Sequence, residues 1–307
     1  MKLNQTRCPG KPLFRPSALQ AYAMLLPAFL GLSLFVLYPL GWTIRYCLFR
    51  YDGYMAPIYV GLRNFIRIFT NSPRFWESVA NTFIFALGKL SVELPLALSL
   101  AYFLNQKLRG RNILRAVFFL PTIISVAIIG IVFSYLFAAH NGVINAILMR
   151  IGLMGKEFGW FSLKWPALAV VALASIWQNF GLNMIFFLTG LQSIPTEVYE
   201  SADIDGVNAW QKFYRITLPM LGPVLVTVVM LALLGSLKVT DLVLVLTNGA
   251  PGGHTEVMMT YVYNAFFESG SANNYGYGAA LVVVSAVILG IVTFAYLRVT
   301  RRASEIY

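Results

Sequence analysis

Charge is scarce in this chain. Only 11% of its 307 residues are Asp, Glu, Lys or Arg, whereas a globular chain facing water carries roughly 25%. So few charged groups cannot cover an outer surface that meets water on all sides. Cysteine and histidine are almost missing, with two of each, which excludes a disulfide scaffold and leaves little for a metal centre. Cys8 lacks the small and apolar residues that precede a lipidated cysteine, and Cys47 ends an apolar run, so neither reads as a nucleophile or ligand. A phosphate loop is absent too: Gly152-Leu153-Met154-Gly155-Lys156 has neither the spacing nor the hydroxyl. With no nucleophile–base or metal constellation, no catalytic and no metal-binding residue is assigned. Acids are the rarer sign, 12 against 23 bases, giving a net charge of +11. The bases flank apolar stretches, where they meet lipid headgroups and set topology, so the excess does not point to nucleic acid.

Apolar residues are abundant, at 58% with a mean hydropathy of +0.71. Six stretches, about 18–44, 78–104, 114–138, 165–190, 219–246 and 277–298, can each supply the roughly 20 residues that cross a bilayer as a helix. Continuous apolar runs exclude a membrane barrel, whose strands alternate. The fold class is therefore all-α, a polytopic membrane protein with six transmembrane helices. Residues 1–15 form a cytoplasmic N-terminal segment, 16–303 the membrane domain and 304–307 a tail. With both termini inside, the inner segments hold 13 bases (among them Lys2, Arg7, Lys11, Arg15 and Lys107) and the outer ones 8, the bias expected for N-in and C-in. Residues 64–69 read as an interfacial helix in the first outer loop, and 143–153 as a short amphipathic helix.

The segment 195–219 carries Glu197, Glu200, Asp203 and Asp205, a third of all the acids. Pro195 suits a helix start and Gly206 a turn with positive φ. Asn208 with Gln211 forms a capping box opening a second helix, on which Trp210, Phe213 and Tyr214 share a face. The expected product is a helix–turn–helix elbow at the membrane surface.

Glu200-Ser201-Ala202, three residues, Gly206, nine residues, then Ile216-x-Leu218-Pro219 resembles the EAA loop of ABC importer permeases, with Ser201 in place of the usual Ala. Tyr38-Pro39, Gly61-Leu62-x-Asn64-Phe65, Phe118-x-Leu120-Pro121 and Leu246-Thr247-Asn248-Gly249-Ala250-Pro251 extend the resemblance to the maltose and multiple-sugar branch. It implies a type I ABC importer permease fold in a bacterial cytoplasmic membrane. It also implies a second homologous permease, two copies of a cytoplasmic ATPase that hydrolyses ATP with Mg, and an extracytoplasmic binding protein. This chain itself would bind no cofactor. Glu200, Ser201, Ala202, Asp205, Gly206, Phe213, Ile216, Leu218 and Pro219 are the implied ATPase-coupling residues.

Polar side chains at membrane depth are costly and mark a path or a helix contact. Trp177, Gln178, Asn179 and Asn183 in the fourth span, and Ser236, Lys238 and Asp241 in the fifth, are the substrate-path candidates. Amides and an aromatic face suit a sugar's hydroxyls and C–H surfaces; glue between helices is the other reading. Lys238 and Asp241 are spaced to pair at a helix break. Lys89 and Glu93 read as a mutually neutralised pair. An alternative function is an ion-gradient-driven secondary carrier with Lys89, Glu93, Lys238 and Asp241 as relay, although no internal repeat supports it. The Gly/Pro loop 248–255 would meet a binding protein or act as an external plug.

Overall fold

The computed structural model describes residues 18–106, 108–267 and 274–304. The expected segment 1–15 with Cys8, the base Lys107 and residues 305–307 of the tail lie outside these.

Helix α1 (Ala18–Leu32) passes through a π-helical segment, Ser33–Leu37, into α2 (Tyr38–Tyr46). Together they make a run of 27 residues from Gln20 to Tyr46, about 40 Å at 1.5 Å per residue. A two-residue hairpin follows, β1 (Phe49–Arg50) against β2 (Ile58–Tyr59), antiparallel with Phe49 opposite Tyr59. The short helix α3 (Arg63–Asn71) buries Asn64 and Ile68. It covers the helix expected at 64–69. Next, α4 (Pro73–Asn105) runs 33 residues with Pro73 in its first turn, where a missing N–H costs nothing.

The third expected span, 114–138, is divided into α5 (Arg111–Ile123) and α6 (Val126–Leu136), bent by 94°. Ile124 and Ser125 take extended ψ values of 136° and 138°, breaking the helical ladder between them. After α7 (Val143–Arg150) comes α8 (Lys164–Gln192), 29 unbroken residues. The elbow comprises α9 (Thr196–Ile204), α10 (Ala209–Lys212), a π-helical segment Phe213–Thr217 and α11 (Leu218–Met220).

The fifth expected span, 219–246, is broken twice. A 70° bend separates α11 from α12 (Gly222–Leu237). Pro223 explains it, since its ring excludes the carbonyl four residues back and it donates no hydrogen bond. The helix then stops at Leu237 and resumes as α13 (Asp241–Leu246). The remaining helices are α14 (Met258–Phe267) and α15 (Tyr275–Ser304). Among the described residues, four helical runs are long and apolar enough to cross a membrane, and up to six if each bent pair counts as one span.

The α4–α8 pair is the spine of the bundle. Glycines permit its closest approaches. A Cβ on Gly181 of α8 would stand 2.0 Å from the backbone oxygen of Phe118 in α5, and one on Gly130 of α6 would stand 2.2 Å from Val245 of α13. Among the described residues, the core falls into three clusters. One surrounds Phe75, Met258 and Leu281 beneath α3, one Ile129, Val171 and Val243, and one Ala101, Met184 and Leu221 at the elbow end.

Candidate functional site

Lys89 stands midway along α4, so the groups around it lie at mid-depth in the bundle. Its ammonium is 3.2 Å from Glu93 Oε2, with side chains only 5% and 0% exposed. Lys89 Nζ also donates to Ser236 Oγ of α12 at 3.1 Å, and Asn183 Nδ2 of α8 donates to Glu93 Oε1 at 2.6 Å. The pair is thus the expected neutralised one, and it also ties α4 to both α8 and α12. Such groups persist in a low-dielectric interior only when each charge is matched.

This clasp forms one wall of a cavity of about 360 Å³. From α8 it is lined by Ser175, Gln178, Asn179, Leu182, Asn183 and Phe186, a single helix face at spacings of three and four. From α12 and the break after it come Gly235, Lys238, Val239, Thr240 and Asp241. Non-helical backbone at membrane depth is tolerated where it lines a cavity, which accounts for the break at 238–240.

Of the seven path candidates, the cavity gathers Gln178, Asn179, Asn183, Lys238 and Asp241. Trp177 falls off the lining face and packs on Phe133, ring centres 5.9 Å apart. Ser236 is fully buried behind the wall, where it accepts from Lys89 and donates to the carbonyl of Ala232 at 2.7 Å. Lys238 and Asp241 are both exposed and no ion pair joins them among the described residues; the expected pairing at this break is absent. Ser175 and Phe186 were missed, although extending the Gln178–Asn183 face by one turn each way reaches both. Phe186 is the cavity's aromatic side chain.

At one end of α8 and α12 the elbow is internally fastened. Asn208 and Gln211 complete the capping box, Gly206 adopts φ +72°, and Lys212 pairs with Asp203. Phe213 meets the Tyr102 ring of α4 at 5.1 Å, and the Tyr199 hydroxyl lies 3.1 Å from Thr217 Oγ1. Of the coupling candidates, Ala202 is buried, while Phe213, Ile216, Leu218 and Pro219 are partly so. Glu200, Ser201, Asp205 and Gly206 face out. Two large apolar residues that were not among the coupling candidates stand out from the elbow, Ile204 at 87% and Trp210 at 70% exposure. The helical spacing placed Trp210 on a face with Phe213 and Tyr214, and its ring does pack on that of Tyr214, centres 4.6 Å apart and planes tilted by 58°.

At the opposite end, the loop 248–255 is clamped. Asn81 Nδ2 donates to the carbonyls of His254 and Glu256 at 2.9 and 2.8 Å, and Arg74 forks onto the Glu256 carboxylate at 2.7 and 2.8 Å. Glu77 bridges Lys164 and His254 at 2.7 and 3.0 Å. Among the described residues, no group of three His, Cys, Asp or Glu side chains has the arrangement of a metal site.

Residues 93–305, from the clasp carboxylate to the last helix, match the family described as "Binding-protein-dependent transport system inner membrane component". The chain belongs to that family. Its relatives include the lactose transport system permease protein LacF of Rhizobium radiobacter, 33% identical over 271 residues covering 87% of this chain and 89% of that one. The trehalose/maltose transport system permease protein MalF of Thermococcus litoralis is 33% identical over 282 residues, covering 91% of this chain and 93% of the relative. A crystal structure of a bacterial ABC transporter that imports the acidic polysaccharide alginate superposes with a TM-score of 0.79 at 24% identity, covering 92% of this chain and 95% of that one. The architecture is therefore that of an ABC-importer transmembrane subunit. This inner membrane component is a transport subunit rather than an enzyme, and the mid-depth cavity and the elbow are its candidate working parts.

Proposed function

We propose that the chain is one of two different permease subunits in an ATP-driven importer of a sugar or oligosaccharide. It would sit in a bacterial cytoplasmic membrane with both termini and the elbow inside. The observation that carries this reading is the connection between cavity and elbow. α8 runs unbroken from Gln178 to Gln192, and α12 from Gly222 to Gly235, both starting or ending at residues that line the cavity, about 20 Å of helix in each case. Two continuous helices thus join a polar cavity to one fastened elbow.

In this mechanism the chain performs no chemistry. A cytoplasmic ATPase grips the elbow through Ile204, Trp210 and the outward acids Glu200 and Asp205. When ATP, with Mg, draws two such subunits together, each elbow moves as a unit because its cap, ion pair and ring contact hold it rigid. α8 and α12 then tilt, opening the cavity to one side or the other. Gln178, Asn179 and Asn183 would offer amide donors and acceptors to hydroxyls, and Phe186 a ring face to C–H surfaces. The naming of two relatives for lactose and for trehalose/maltose supports a carbohydrate cargo. A substrate-loaded binding protein would deliver it at the clamped outer loop.

The test is copurification of the chain with its transporter complex. An associated ATPase whose turnover rises with a sugar-loaded binding protein supports the reading. Glu200→Lys should leave the chain in the membrane while uncoupling hydrolysis from uptake. Ion-driven uptake by the isolated chain, with no ATPase, would replace this reading with that of a secondary carrier.

A further inference from the structure

A second cleft, of about 670 Å³, lies at the end of the bundle away from the elbow, between the β1–β2 hairpin and α3. Its size is in the roughly 300–1,000 Å³ range of ligand clefts. Three arginines line it, Arg50, Arg63 and Arg67. Among the described residues, no carboxylate lies within ion-pair distance of any of them. The one acid in the lining, Asp52, accepts from the backbone N–H groups of Tyr54 and Met55 at 3.1 and 2.9 Å and feels Arg50 only as a weaker charge contribution. The cleft is also built in advance. Asn64 Nδ2 fastens α3 to the hairpin by donating to the carbonyls of Cys47 and Phe49 at 2.9 and 3.0 Å, and Arg67 lies over the Tyr277 ring, 4.6 Å from its centre.

Three arginines in one concavity, with no carboxylate at ion-pair distance, suit an anion with several oxygens, since each guanidinium can donate a planar pair of N–H groups. The helix itself says which anion. Along α3, Arg63, Ile66, Arg67 and Thr70 line the cleft; Ile66, with Phe69 and with Leu62 just before the helix, each stands one residue ahead of one of the other three, and Leu62, Ile66 and Phe69 are 64%, 59% and 61% exposed. One residue turns an α-helix by about 100°, so an apolar stripe runs directly beside the basic one. A free phosphate has no use for that stripe, whereas acyl chains do. We propose that this cleft binds the phosphate-bearing headgroup of an anionic phospholipid, with its acyl chains along Leu62, Ile66 and Phe69.

The test uses the full chain reconstituted in nanodiscs of phosphatidylcholine containing a minor fraction of phosphatidylglycerol, with retained lipid counted by mass spectrometry after transfer to detergent. Phosphatidylglycerol should be enriched over its bulk fraction, and Arg50→Gln with Arg63→Gln should cut that enrichment about tenfold. Arg63→Lys should restore part of it. Equal retention by both proteins would overturn the proposal. So would full displacement by millimolar inorganic phosphate, which would make the site one for free anions. Loss of binding-protein stimulation with lipid retention unchanged would make it a protein dock and equally overturn it. If the double variant is not monodisperse, a photoactivatable phosphatidylglycerol on the unaltered protein decides. Crosslinks within residues 50–71 support the site, and crosslinks only elsewhere refute it. The readout is lipid, so it stands or falls separately from the transport reading.

Discussion

Lys89→Met would leave the Glu93 carboxylate, 0% exposed, with Asn183 as its remaining partner. Breaking one side of a buried pair costs about 3–5 kcal/mol, because the surviving charge is uncompensated. Glu93→Leu should cost a similar amount for the converse reason. Replacing both removes the uncompensated charge, and such exchanges for apolar residues are near neutral, within about 1–4 kcal/mol on the stabilising side. The double variant should therefore recover most of what either single change loses, so that the two single losses, about 6–10 kcal/mol together, do not add. At about 2–4 °C per kcal/mol for a large domain, each single change should lower the melting temperature by on the order of 10 °C. The assay is intrinsic-fluorescence melting of the detergent-purified chain for all four proteins of the cycle. Additive losses, with the double variant worse than either single one, would refute the clasp. Loss of uptake in a double variant that melts normally would further separate the path role of these groups from their packing role.

Three other outcomes follow from particular contacts. Gly181→Ala would place a methyl group 2.0 Å from the Phe118 carbonyl oxygen, forcing α5 off α8 at a cost of about 1–3 kcal/mol; an unchanged melting temperature would contradict the close approach. Asn208→Ala removes the cap that accepts from the Gln211 N–H at 2.9 Å; a loss of about 1 kcal/mol should raise amide exchange at Gln211 about fivefold, and no change would show that the elbow does not depend on its box. Glu157 accepts from the Asn141 N–H at 3.1 Å and faces His140 Nδ1 at 2.9 Å, contacts that hold its carboxyl below the usual range, the Asn141 bond foremost. A depressed folded value means a contribution fully present above the ordinary value of about 4.3 and lost as pH falls through the folded one. Protection of the Asn141 amide, corrected for intrinsic rate, should hold from pH 7 to 5 and fall below about pH 4. A fall starting above pH 6 would contradict the assignment to Glu157.

The elbow was legible because its signals are local. Gly206, Asn208 and Gln211 act within one or two turns, so their residue types announce the turn and the cap that form. Lys89 with Glu93 was legible for the same reason, being four apart on one helix. The partners of that pair, Asn183 and Ser236, lie 90 and 147 residues away, and helical periodicity carries no information about which helix lies alongside. Trp177 was misplaced by reading composition instead of face: it neighbours Gln178 in sequence but points about 100° away around the helix. The bend at Ile124–Ser125 was hidden because uniform apolarity shows where a chain can enter lipid, not where it turns inside a bundle. The 70° bend at Leu221 had a visible cause in Pro223, which an unbroken span of 219–246 overlooks.

In the proposed mechanism, movement of the elbow opens and closes the mid-depth cavity. The most direct measurement is uptake of labelled oligosaccharide per ATP hydrolysed, in proteoliposomes holding the assembled transporter, its ATPase and its loaded binding protein. Gly206→Pro replaces a residue at φ +72° by one fixed near −65°, so it should distort the elbow and leave the cavity untouched. Hydrolysis that continues while uptake per ATP falls at least tenfold is the predicted result. Unchanged uptake per ATP in a Gly206→Pro transporter that assembles normally would contradict the account.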